Sequence, residues 1–159
     1  YFFYNNPFVF LKKIYLTMQK DKSKIIEQAN LISIDTLMGT LDMEFIDFGD
    51  DYVMCKMPVN SRVHQPDGIL HGGATVALAE SVGSFASRVF INDPEISVRG
   101  IEISANHVRS VKDGYVYARA TKIHFGRTIQ LWEIKITDEK DNLISHAKLT
   151  TIAIKKNKK

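Results

Sequence analysis

Apolar and polar positions recur with two different periods along the chain. Over residues 71–90, Val76, Ala79, Val82, Phe85, Ala86 and Val89 recur at helical spacing, which predicts one long helix. The same stretch is crowded with Gly72, Gly73, Ala74, Ala77, Ser81, Gly83, Ser84 and Ser87. A helix so poor in bulk lets its neighbours approach the backbone closely, on more than one side. Elsewhere the period is two. Residues 41–48 and 52–57 flank Gly49-Asp50-Asp51 and read as strand, turn and strand. After Pro94, Ile101, Ile103 and Ala105 alternate with Glu102, Ser104 and Asn106. Further strands are predicted over 115–123, 128–137 and 143–154, with Asp113-Gly114, Gly126-Arg127 and residues 138–142 as turns. Turns this short predict that the last four strands form an antiparallel meander. Residues 22–31 are a short helix candidate, and 58–70, punctuated by Pro58, Pro66 and Gly68, is a loop. One apolar helix with one antiparallel sheet is an α+β domain in which the sheet wraps the helix.

Composition narrows the picture. The chain has 159 residues, enough for one domain with a real core. Apolar residues make up 45% and charged residues 25%, which excludes disorder as a description of the whole chain. Uncharged runs stop near a dozen residues, as from Gly68 to Ala79, short of the roughly 20 that a membrane span needs. The net charge is +3, but Lys12, Lys13, Lys155, Lys156, Lys158 and Lys159 lie at the two ends, so the body of the chain is net acidic. No basic face is implied, and nucleic acid is not an expected partner. Cys55 is the only cysteine, so no intrachain disulfide can form, which suits a reducing, cytoplasmic setting. It sits in the alternating run from Tyr52 to Met57 and reads as a strand position rather than a nucleophile.

Residues 1–17 read unlike the rest and hold seven of the 16 aromatic residues. They lack a basic leader and a small-residue cleavage site, which makes a poor signal peptide. The expected organisation is an extension over 1–17, non-native or peripheral, with Met18 resembling a natural start. A single domain over 18–154 and a basic tail over 155–159 follow.

Chemistry concentrates in Gln65-Pro66-Asp67-Gly68-Ile69-Leu70-His71-Gly72-Gly73-Ala74 and in Glu80. Gly72 and Gly73 stand where the long helix begins. Backbone N–H groups there have no intrahelical partner, and the helix dipole adds positive charge. Such a start suits a developing oxyanion, and equally it is a plain helix start after a tight turn. Glu80 lies two turns further on, among apolar and small residues. A carboxylate buried there is either paired structurally or kept for chemistry as a nucleophile or general base.

These residues, with Ala79-Glu80-Ser81-Val82-Gly83-Ser84, resemble the hotdog-fold acyl-coenzyme A thioesterases. Gly100-Ile101-Glu102-Ile103-Ser104-Ala105-Asn106-His107-Val108-Arg109, then His124-Phe125-Gly126-Arg127 and Lys148-Leu149-Thr150-Thr151, continue the resemblance. It covers about residues 34–153 and is nearest to the 1,4-dihydroxy-2-naphthoyl-CoA hydrolase branch, on the side that carries Glu at the helix carboxylate. The resemblance implies a hotdog fold and hydrolysis of an acyl-CoA, aromatic in its acyl group, without metal or redox cofactor. It implies Glu80 as nucleophile or base and the Gly72 N–H as the donor that polarises the thioester carbonyl. Gln65 and His71 flank that carbonyl, and Ser84 holds the attacking water. Arg99, Asn106, His107, Val108 and Arg109, with Ile123, His124, Phe125, Gly126, Arg127 and Thr128, hold coenzyme A. Arg109 and Arg127 also suit its phosphates physically.

The implied roles have a geometric consequence. Gly72 and Glu80 are eight residues apart, about 12 Å along a helix. Both must reach one carbonyl, so a homodimer that shares its sites is expected, paired again into a tetramer. Three rivals remain: a hydratase on the same scaffold, which uses a His/Asp pair not evident here; a non-catalytic acyl-CoA-binding module, which has no need of Glu80; and a thioesterase for medium-chain or mis-acylated carrier thioesters. As further alternatives, His107 and His124 simply end strands, His64 lies in a loop, and His146 on a strand belongs to no motif.

Overall fold

The structure is a computed structural model that describes residues 22–156. The extension over 1–17, Met18, and residues 157–159 of the basic tail lie outside the described residues.

Helix α1 occupies residues 22–33 and a short α2 spans Leu37–Thr40. Two hydrogen bonds dock α1 on the sheet: the Asn30 side-chain amide donates to the Phe45 carbonyl, and Asn30 Oδ1 accepts from the Phe45 N–H. Strands β1 (Glu44–Phe48) and β2 (Tyr52–Pro58) form the expected hairpin. The loop that follows holds a short 3₁₀ turn over Ser61–Val63 and a bridge between His64 and Leu70. Helix α3 is Gly72–Ile91, within one residue of its predicted bounds. Its C-cap, Asn92, adopts the left-handed conformation that ends many helices. Strands β3 (Ile96–His107), β4 (Tyr115–Phe125), β5 (Ile129–Asp138) and β6 (Leu143–Lys155) complete an α+β domain.

The strands form one antiparallel sheet in the order β1-β2-β4-β5-β6-β3. This corrects the four-strand meander. Only β4, β5 and β6 follow one another, whereas β3 pairs with β6 at the far edge. The reason lies in residues 108–114, which run across the end of the sheet instead of turning back. Val108 and Arg109 donate to the Ile144 carbonyl, Leu70 donates to Val111 O, and Val59 donates to Gly114 O. Gly114 takes a left-handed φ of 80°, so Asp113-Gly114 is a bend into β4, not a hairpin between β3 and β4.

The sheet curls around α3, and its inner residues make the core with the helix. Val53, Cys55 and Met57 alternate inward on β2, Val116, Ala118 and Ala120 on β4, and Trp132, Ile134 and Ile136 on β5. From α3 come Leu78, Ala79, Val82 and Ala86. Val76, Phe85 and Val89, expected in the same apolar stripe, are only half-buried. Small residues are needed where helix meets sheet: a Cβ on Gly83 would lie 2.6 Å from Leu149 Cδ2. By length and mean hydropathy α3 could cross a membrane. Its Leu78, Ala79, Val82 and Ala86 are instead fully buried against the sheet, the position of a core helix.

Candidate active site

The expected site residues fall into three places along α3. The first is the helix start. His71 is the N-cap, and its Nδ1 accepts the Gly73 N–H at 2.7 Å. The ring therefore caps one orphan donor with its own acceptor nitrogen, so that neutral His71 carries its proton on Nε2 and presents a donor. The Gly72 N–H has no acceptor among the described residues. Gly72 is also pressed by the end of β3, since a Cβ there would come within 2.8 Å of His107 Nε2. Gln65 sits beside this start in a tight loop: its N–H donates to Ile69 O, its carbonyl accepts from Gly68, and Gly68 supplies the left-handed φ of 72°. Asn106, Val108 and Arg109 are exposed at the same end. The Asp138 carboxyl is held below its ordinary value first by the Asn142 side chain and, most weakly, by the charge of Arg109.

The second place is a cleft of about 720 Å³ between α1, α2, one face of α3 and the first residues of β3. Glu80 and Ser84 lie in it, one turn apart, with Gly73, Val76, Ser81 and Phe85 on the same face. Glu80 is exposed in the single chain, which corrects the expectation of a buried carboxylate. It has no hydrogen-bond or salt-bridge partner among the described residues, so structural pairing does not account for it. The carboxylate instead packs over Gly100: a Cβ there would lie 2.7 Å from Glu80 Oε1. Gly100 stands at an irregularity in the β3–β6 register and clears space for the acid. Its sequence signal was an isolated glycine inside an alternating strand, the mark of a bulge or a close approach. Arg99 follows the cleft edge, exposed, donating to Ser97 Oγ and to the Val98 carbonyl.

The third place is the far end of α3. Phe125 packs edge-on against Phe90 and Trp132, with centroids 6.1 and 6.2 Å away. Ile123, His124, Arg127 and Thr128 are exposed, and Gly126 closes the turn by donating to Ile129 O. Ala153, which faces Val98 across the β3–β6 ladder, donates to the Thr128 carbonyl. Thr128 thus shares an end of the sheet with Val98, whereas Asn106 lies eight residues further along β3, about 26 Å away. The two segments expected to hold coenzyme A do not converge within one chain.

Two other histidines have structural partners. His64 Nε2 lies 2.9 Å from the Lys112 carbonyl, and His146 Nε2 lies 2.9 Å from Glu133 Oε1. The His146 contact holds the Glu133 carboxyl below its ordinary value. Burial pushes the Cys55 thiol up to about 12, so Cys55 is no nucleophile at neutral pH.

The family model of the Thioesterase superfamily matches residues 67–145. The chain is 45% identical over 131 residues to the 1,4-dihydroxy-2-naphthoyl-CoA hydrolase of Escherichia coli, across 82% of this chain and 96% of that protein. It is 43% identical over 126 residues to the proofreading thioesterase EntH of Cronobacter turicensis, across 79% and 91%. Among solved structures, a thioesterase from Haemophilus influenzae superposes with a TM-score of 0.79 at 41% identity, across 82% of this chain and 90% of that one.

Proposed function

The chain belongs to the thioesterase superfamily and is a thioester hydrolase of the hotdog fold, and from that premise we propose that it hydrolyses an aromatic acyl-coenzyme A in a site built from two copies of the chain. The Gly72 N–H, at the positive end of α3, stabilises the oxyanion that forms when the thioester carbonyl is attacked. Gln65 and the His71 Nε2–H flank that oxygen. Glu80 of the other copy attacks the carbonyl carbon itself or takes a proton from the attacking water, which Ser84 orients. When water attacks, the C–S bond breaks and the acid forms directly; when Glu80 attacks, C–S cleavage leaves an acyl–Glu80 anhydride that water then hydrolyses. On either course water supplies the hydroxyl of the acid and the proton of the coenzyme A thiol.

The observation that carries this reading is the separation of its two halves within one chain. Among the described residues the Gly72 N–H, beside His107, has no acceptor, and Glu80, over Gly100, has no partner. The edge strand β3 supplies the means of joining them. It has 12 residues, it pairs on one side only among the described residues, and Ile101 is 54% exposed at its middle. Such an edge is a template for pairing. Antiparallel pairing along its whole length would set His107 of one copy opposite Ile96 of the other. The Gly72 end of one copy then meets residues 96–98 of the other, which edge the same cleft that holds Glu80. The same pairing brings Asn106–Arg109 of one copy towards Thr128 of the other, so that Arg109 and Arg127 approach the nucleotide end of one coenzyme A. Association of two dimers into a tetramer and a cytoplasmic location belong to the same proposal.

Similarity to a 1,4-dihydroxy-2-naphthoyl-CoA hydrolase supports a hydroxynaphthoyl or hydroxybenzoyl acyl group. Similarity to a proofreading thioesterase supports a second substrate reading, clearance of mis-acylated carriers. A panel of hydroxynaphthoyl-, benzoyl-, phenylacetyl- and medium-chain acyl-CoA and acyl-carrier thioesters, followed by released thiol, decides between them. Glu80→Gln should lower kcat on the preferred substrate by about 10²- to 10⁴-fold with the fold intact. A loss below about tenfold would remove Glu80 from its role.

A further inference from the structure

A directed chain of hydrogen bonds crosses the core and leaves it at one point. Trp132 Nε1–H donates to Ser87 Oγ at 2.7 Å, and the Ser87 and Thr151 hydroxyls lie 2.7 Å apart. Thr151 Oγ1–H donates to Gln130 Oε1 at 2.9 Å, and Gln130 Nε2–H donates to the Gly126 carbonyl at 2.9 Å. The indole can only donate, and the Thr151 proton is spent on Gln130. The Ser87 proton therefore goes to Thr151, and every bond up to the Gln130 amide points the same way. Ser87, Gln130, Thr151 and Trp132 expose no surface. A packed core does not need four polar side chains here, because burying such groups is costly unless all are satisfied.

The exit of the chain is informative. Gly126 belongs to the turn whose His124, Arg127 and Thr128 side chains face solvent. The backbone of that turn is held at Gly126 N–H by Ile129 O, at Gly126 O by Gln130, and at Thr128 O by Ala153 N–H. Phe125 is held by Trp132, the residue that starts the chain. A turn with a fixed backbone and free side chains is a preorganised binding element. Ser87 lies on α3, seven residues beyond Glu80, so the chain ties this turn to the helix of the reactive acid.

We propose that Gln130 is a positioning residue that, through the Gly126 carbonyl and backed by Thr151 and Ser87, fixes the turn at residues 124–128 in the conformation that receives the nucleotide end of coenzyme A. This rests on the acyl-CoA reading above. The test compares one aromatic acyl group carried on coenzyme A with the same group on N-acetylcysteamine, which lacks the nucleotide. Gln130→Leu and Thr151→Val replace the polar groups at similar volume. Each should raise KM for the coenzyme A thioester about five- to tenfold, the loss of one neutral hydrogen bond. KM for the truncated thioester and kcat on both should stay near wild type. Thr151→Ser, which keeps the hydroxyl, should behave as wild type.

A rise of equal size on both substrates, or none in a folded variant, overturns the proposal. Arg127→Ala separates it from the reading beneath it. If Arg127→Ala weakens coenzyme A thioesters selectively and Gln130→Leu does not, the positioning role fails and the acyl-CoA reading stands. If neither is selective, both fail. The wild-type protein gives a test independent of folding. The Gln130 side-chain amide signals should shift on addition of coenzyme A and not of N-acetylcysteamine, and the absence of that shift overturns the proposal.

Discussion

Gly100→Ala tests the geometry around Glu80 without replacing the carboxylate itself. Gly100 lies in β3 where the register with β6 shifts, and its φ is not left-handed, so alanine can take the same backbone conformation. Such a change reduces the freedom of the unfolded chain and favours the fold by about 0.4–1 kcal/mol. The added Cβ would meet Glu80 Oε1 at 2.7 Å, Glu80 Cδ at 3.4 Å and Leu149 Cδ1 at 3.6 Å. Only the first contact is too close. Relaxing it to an ordinary separation of about 3.5 Å displaces the carboxylate oxygen by roughly 0.8 Å. The atom that must yield is the far end of a flexible side chain, so the acid moves and the sheet does not. Misplacement of a reacting group by about 1 Å can cost about 10²-fold. We expect kcat to fall about 10- to 10²-fold, with KM near wild type and the thermal midpoint unchanged or raised. Thiol-release kinetics, thermal unfolding and sedimentation, the last to exclude loss of subunit pairing, read the three outcomes. A folded, paired Gly100→Ala enzyme with wild-type kcat would refute the reasoning, as would a fall in stability that accounts for lost activity.

Arg109→Ala and Arg127→Ala should each raise KM for coenzyme A thioesters roughly 10- to 100-fold, the loss of a charge-assisted contact worth about 1.5–3 kcal/mol. Thioesters lacking the nucleotide should be nearly indifferent, and equal damage to both would contradict phosphate binding. Refolding Glu80→Ala together with His71→Ala should restore activity in the mixed dimer to about half the wild-type level, because one of its two sites collects both defects and the other neither. No recovery, with exchange of subunits confirmed, would place the site within one chain. Cys55, buried and with its thiol raised to about 12, should resist an alkylating reagent at pH 8 in the native protein and react fully after denaturation. Rapid native-state labelling at Cys55 would contradict its placement in the core.

The elements were legible in the chain because they depend on neighbours in sequence. The apolar period and the Gly72-Gly73 start set α3 to within a residue, and alternation located the strands to within about three residues at their ends, except β3, whose first five residues, Ile96 to Gly100, precede the alternation read at Ile101. The distance between Gly72 and Glu80 was also legible, since it is only helix rise. Strand order was not. Asp113-Gly114 announces that the chain bends, and Gly114 does bend it, but a bend does not say which strand the chain will join. That was decided by where residues 108–114 find partners for their backbone, at Ile144, Leu70 and Val59, contacts remote in sequence. Glu80 shows the same division. Periodicity put it on an apolar helix, and burial was the natural expectation, yet the face it shares with Ser84 is left open by the sheet and lines a cleft. Gln130 lay on a predicted strand with nothing to distinguish it. Its meaning depends on Ser87, 43 positions earlier, and Thr151, 21 positions later, meeting it in one buried line. Local pattern reports the conformation of a segment, whereas which side chains share a site depends on which segments fold over one another to bury their apolar faces.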